Sequence, residues 1–180
     1  MNDREERIQR VRTHLKDQVA RGPAHMKAVL LAESEKVLAL SADLSEAEAE
    51  LRPAPDEWSV TQVMQHLVGS YERNKERLAA LTAGRAYTGP PSRPGMLPEA
   101  PLGPFAQVRR LYAEARDAIV GLVENADPNA HLELTTDHST FGALNWPAWA
   151  VFTLDVHARD HVGQIEKVRV AIEAQRAGKR

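Results

Sequence analysis

The alternation of apolar and polar positions divides the chain into helical segments. Residues 4 to 20 place Ile8, Val11, Leu15 and Val19 at helical spacing with charges between them, and Gly22-Pro23 breaks the run. A second helix is expected from about Ala24 to Leu40, presenting Met26, Val29, Leu30, Val37 and Leu38. Ser45-Glu-Ala-Glu48 fits a capping box but opens only a short turn, because Pro53 and Pro55 follow. Ser59-Val-Thr-Gln62 is a second capping box and a stronger start. From Ser59 to about Ala83 the apolar positions are Val60, Val63, Met64, Leu67, Tyr71, Leu78 and Leu81. His66 lies between Val63 and Leu67 on that inner face, with Ser70 one turn further on.

Gly84 closes this helix. Residues 84 to 104 contain Pro90, Pro91, Pro94, Pro98, Pro101 and Pro104, a density that excludes regular structure and predicts a long surface loop, either a lid or a disordered segment. A further helix is expected from Pro104 or Phe105 to Asn125, where Asp127-Pro128 stops it. Residues 131 to 142 read as an extended connection or short hairpin. Asn145 then caps a last helix that runs to about Gln175, with Trp146 and Pro147 in its first turn.

Composition narrows the function classes. At 180 residues the chain is long enough for one domain with an appended segment. A net charge of −2 and a pI near 6.4 give no footprint for nucleic acid. The absence of cysteine removes disulfides, thiolate zinc sites and cysteine nucleophiles. The charged N-terminus is no signal peptide, and no stretch approaches the roughly 20 apolar residues of a membrane span. A soluble cytoplasmic protein is the expectation.

The candidate chemistry centres on His157-Ala-Arg-Asp-His161. With His157 as the zero of a helical wheel at about 100° per residue, His161 falls near 40° and Gln164 near 340°. Ala150, Leu154, Ile165 and Val168 share that direction, so the pair points along the apolar stripe toward a core. Two imidazoles so placed either hydrogen-bond within a core or chelate one ion, and a third ligand decides between these. His66 is the candidate third. His14 and His25 have no partner at ligand spacing and read as solvated. His131 and His138 stand on the connection as candidates for the mouth of a site.

Around the pair, Asp160 falls about 60° from His157. It is a candidate to hydrogen-bond a ligand histidine or to sit at the mouth, against the plainer reading of a solvated carboxylate. Gln164 is a candidate to orient a ligand or a bound water, or a polar residue near the bundle end. Arg73 and Arg77 lie near the His66 face and read as a solvated helix end in preference to an anion-binding pair. Trp58, Trp146 and Trp149 read as core or helix-start packing. Two metal motifs are excluded. A zincin needs Glu after its first histidine, where position 158 is Ala. Di-metal bundles need Glu-x-x-His, and the residues three before His66, His157 and His161 are Val63, Leu154 and Ala158.

The stretch Asp56-Glu-Trp-Ser-Val-Thr-Gln-Val-Met-Gln-His66-Leu resembles a motif of the DinB/YfiT-like superfamily, in which a Trp-Ser start precedes the first metal histidine. Leu154-Asp-Val-His157-Ala-Arg-Asp-His161-Val-Gly-Gln164-Ile resembles its closing His-x-x-x-His and Gln-Ile motif. The helix order agrees from about residue 24 to 175. The resemblance implies an all-α, DinB-like four-helix bundle over residues 23–180, with residues 1–22 as an extra N-terminal amphipathic helix and the Pro-rich loop inserted. It implies one divalent metal held by His66, His157 and His161; three nitrogens suit zinc first, with nickel or iron as alternatives. Family members include metal-dependent hydrolases and thiol S-transferases that use a low-molecular-weight thiol, and the fold does not choose among them. Two functions are therefore expected in competition. One is an enzyme whose metal activates a thiol or water for transfer to a small electrophile, with Asp160 and Gln164 as supporting residues. The other is a non-catalytic metal-binding bundle acting through dimerisation or ligand binding. The apolar stripe of the first helix needs a cover, which raises the expectation of a homodimer.

Overall fold

Ser59 accepts the Gln62 backbone N–H while the Gln62 side chain accepts the Ser59 N–H at 3.1 Å, so two of the free donors at a helix start are satisfied reciprocally. This box opens α4, Val60–Thr82. Ser45 and Glu48 do the same for the single turn α3, Glu46–Ala49. The other helices are α1, Asp3–Ala20; α2, Pro23–Leu40; α5, Phe105–Asn125; α6, Trp146–Val151; and α7, His157–Gly178. A computed structural model describes residues 3–91, 97–98 and 100–178.

The bundle closes in a ring: α4 packs on α5 and α7, and α2 packs on the other sides of the same two helices. Its core includes Leu30, Val37, Leu67, Leu78, Val108, Ile119 and Ile165, all with no exposed surface. Burying one such side chain contributes about 1.5–3 kcal/mol. The connection after α5 is a small hairpin, β1 (Thr135–His138) against β2 (Gly142–Asn145), with Thr135 opposite Asn145 and His138 opposite Gly142. It is the short hairpin the sequence admitted. The four-helix fold with an extra first helix agrees with the sequence reading.

Three differences matter for the site. The last helix is interrupted: between α6 and α7, residues Phe152–Val156 form a π-helical turn, and the His157 N–H donates to the Phe152 carbonyl five residues back. A wheel drawn at a constant angle therefore fails upstream of His157. The wider turn carries Thr153, Leu154 and Asp155 all into the interior. Secondly, α1 lies against α6 and α2. Leu15 is buried, with Val11 and Val19 packed on the core, so the chain itself covers the stripe that argued for a second copy. Thirdly, part of the Pro-rich loop, residues 92–96 and 99, lies outside the described residues. Its beginning runs past the end of α4, where Gly84 (φ +70°) turns the chain and the His131 ring packs so close that a Cβ at position 84 would stand 2.6 Å from it.

Candidate metal centre

α4 and α7 supply the three histidines, and the π-helical turn sets where α7 begins. His157 Nε2 lies 3.1 Å from His66 Nε2 and 3.1 Å from His161 Nε2, and ligand atoms of all three fall within 4.8 Å of one another. Metal–imidazole bonds of about 2.1 Å place neighbouring nitrogens about 3.0–3.4 Å apart in octahedral or tetrahedral geometry. The spacing thus fits one ion. Burial disfavours the protonated form of His157 and His161. It is the main reason that His157 lies well below the usual imidazole range and His161 is lowered to about 4, with neighbouring histidines adding to both. A neutral ring offers a lone pair, which is what a divalent ion requires.

The surrounding residues orient these rings. The Gln164 carbonyl oxygen, 2.6 Å from His161 Nδ1, can only accept, so Nδ1 carries the hydrogen and Nε2 presents its lone pair inward. Ser70 Oγ lies 3.4 Å from His157 Nδ1. Trp58 backs the cluster, its ring centroid 5.1 Å from that of His66 and parallel to the His161 ring at 6.3 Å. It was expected in packing at the helix start, and it serves there as the floor beneath two of the imidazoles.

A cavity of about 440 Å³ opens beside the histidines. On one side it is walled by His66, Ser70, Arg73 and Arg77 from a single face of α4. The opposite wall comes from α1, with His138, Phe141 and Phe152 between. Asp160 stands on the rim with its side chain 59% exposed, where Arg7 of α1 pairs with it at 3.1 Å. This is the mouth position.

Two expectations are corrected here. His14 is not solvated. It lines the cavity, half-buried, with Nε2 at 2.5 Å from Asp155, a carboxylate only 1% exposed that Arg159 also engages. The interior position of its partner, created by the π-helical turn, explains the difference. His25 is half-buried and bonded to Gln18. Nor is Arg77 a solvated helix end: only 2% of it is exposed, and its guanidinium lies between the rings of Tyr87 and Trp149 at 4.5 and 4.1 Å. Trp146 and Trp149 are core residues as expected, and Trp149 also forms the bed for Arg77.

His138 reaches the cavity and His131 does not. The N–H groups of Thr140 and Phe141 donate to His138 Nδ1, which puts its ring hydrogen on Nε2. Burial, with Arg77 nearby, lowers its pKa to about 4. Of the α4 wall, Asn74 is the member the sequence reading did not name, and its signal is present in the helix. His66, Ser70, Arg73, Asn74 and Arg77 follow at offsets of four, seven, eight and eleven, one polar stripe beside an apolar one.

The sequence profile of the DinB superfamily matches residues 30–165, well over half of the chain and inclusive of all three histidines. The chain belongs to the DinB superfamily. The DinB fold is also found in a solved structure, YfiT from Bacillus subtilis, described as a probable metal-dependent hydrolase with an unusual four-helix bundle topology. The two are 15% identical and superpose with a TM-score of 0.57 over 84% of this chain and 87% of that one, a likeness of fold. No curated protein sequence matches the chain. Among the described residues, no helix is long and apolar enough to cross a membrane.

Proposed function

We propose that this DinB protein is a metal-dependent enzyme, of hydrolase or thiol-transferase type, whose single divalent ion is held by His66, His157 and His161. The observation that carries the reading is the convergence of three Nε2 atoms at ligand spacing on the wall of an open cavity. A structural site would be closed on all sides, whereas three ligands facing a cavity are the arrangement of a reacting one. A divalent ion bound by neutral imidazoles keeps its full charge and brings a bound water or thiol toward ionisation near neutral pH. Zinc suits three nitrogens, and nickel or iron would be accepted.

The chain's own residues do the rest. Gln164 fixes the tautomer of His161, and Trp58 packs against the His66 and His161 rings at the back of the cluster. Phe141 and Phe152 provide an apolar wall for a small electrophile, and His138 turns its Nε2 hydrogen away from its own backbone partners. Asp160 and Arg7 form the rim.

The test is turnover of a panel of thiol acceptors and hydrolysable esters and amides by metal-loaded protein, compared with the chelated protein and with His66→Ala. Activity that is present only in the loaded wild type supports the enzyme. Activity that is indifferent to chelation and to His66→Ala counts against it, and a bundle that carries metal without turning over any of the panel favours the binding-module alternative.

A further inference from the structure

The cavity is lined by five arginines, Arg7, Arg10, Arg73, Arg77 and Arg159, and by one carboxylate, Asp160. Three of the five are neutralised: Arg7 by Asp160, Arg10 by Glu6 at 3.8 Å, and Arg159 by Asp155. Arg73 and Arg77 have no carboxylate within 4 Å among the described residues. For Arg77 this is costly, because it is almost wholly buried and a buried cation without a counter-charge is strongly disfavoured. Its Nη1 donates to Asn74 Oδ1 and its Nη2 to the Pro90 carbonyl, leaving three of five donors over, with Nε buried and unpartnered. Asn74 is itself fixed by donating to Thr153 at 3.0 Å. The guanidinium is therefore held in place by neutral groups and by the faces of Tyr87 and Trp149, and among the described residues no carboxylate balances its charge.

Arg73 lies one turn nearer the histidines on the same face. Its Nη1 folds back to 3.4 Å from where a Cβ would stand on Gly69, and that residue has only hydrogen there. Both arginines line the cavity that His66 and His157 also line.

We propose that the substrate of this site carries an oxyanion, a carboxylate or a phosphate ester, received by Arg73 and Arg77 while its reacting atom lies at the three histidines. The inference rests on the metal-centred reading for the second half of that statement only. The anion subsite stands on the arginines alone. A planar guanidinium fork matches the paired oxygens of either group, and the apolar wall from Phe141 and Phe152 suits a small hydrophobic body beyond it.

The test uses the full chain, metal-loaded, with benzoate and phenyl phosphate as probes and benzamide as the neutral isostere, followed by titration calorimetry. At least one anion is expected to bind about tenfold or more tightly than benzamide, and Arg73→Gln to weaken it about tenfold with metal content unchanged. Arg73 is half-buried, so this variant keeps the fold where Arg77→Gln risks losing it. Arg77→Lys, which keeps the charge and removes the fork, is expected to weaken binding as well. A preference for benzoate identifies carboxylates as the source, and a preference for phenyl phosphate identifies phosphate esters. In His157→Ala, which removes a metal ligand, anion binding is expected to persist. Persistence there in a protein that never held metal supports the subsite while the metal reading fails. Anions that bind no better than benzamide, or binding lost in His157→Ala yet intact in Arg73→Gln, overturn the proposal.

Discussion

Gln164 is exposed on α7, yet its oxygen holds His161 Nδ1 at 2.6 Å and so decides which nitrogen faces the other two imidazoles. Removing such a partner leaves the ligand in place but loosens its orientation. Gln164→Ala is accordingly expected to weaken metal binding about 10–100-fold with the fold intact, read by competition with a chelator. A second consequence concerns pH. His138 and His161 are each lowered to about 4 in the folded chain against an ordinary value of 6.5. Between pH 6.5 and 4 the unfolded chain takes up protons that the folded rings refuse, so the metal-free protein loses stability as pH falls through that window. The slope is about 1.4 kcal/mol per pH unit for each such histidine. Urea unfolding in the presence of chelator measures it, and stability that holds level or rises toward pH 4 would show that the rings are not kept neutral. The clustering of the three histidines was legible because helical spacing alone puts His157 and His161 together and His66 among apolar neighbours. The surroundings of His14 and Arg77 were not, because they are made largely by Asp155 and Trp149, which are distant in sequence.

At the scale of elements, the capping boxes at Ser45 and Ser59 and the breaks at Gly22 and Gly84 set helix limits that differ from the expected ones by only a residue or two, since these signals act through bonds between near neighbours. The π-helical turn is different. Nothing in an apolar period specifies a bond five residues back, so the last helix read as continuous. That turn is where Asp155 enters the interior to meet His14 of α1 and Arg159 of α7. Asp155→Asn removes the charge that both partners address and is expected to cost about 1–3 kcal/mol of stability. The change should appear as a lower urea midpoint with an unaltered slope. A variant as stable as the wild type would mean that the buried carboxylate contributes no net stability in tying α1 to the bundle.

Over the whole molecule, the family and the ring of four helices could be read from two motifs and their order, while the role of residues 1–22 could not. An amphipathic helix ahead of a bundle reads as a surface waiting for another chain. Here it lies across the chain's own cavity, contributing Arg7, Arg10 and His14 to its wall. Among the described residues the exposed large apolar side chains are Leu132 and Val170 alone. The cavity, the histidine cluster and the arginines without a carboxylate partner then form one connected region between α1, α4 and α7. The metal-dependent reading of that region, unlike the anion subsite, depends on an ion being bound there. Elemental analysis of protein purified without an affinity tag, wild type against His157→Ala, addresses this directly. The expected result is about one divalent ion per chain in the wild type and none in the variant. No metal in either, and none taken up when zinc, nickel or iron is supplied, would contradict it and return the three histidines to the status of core residues.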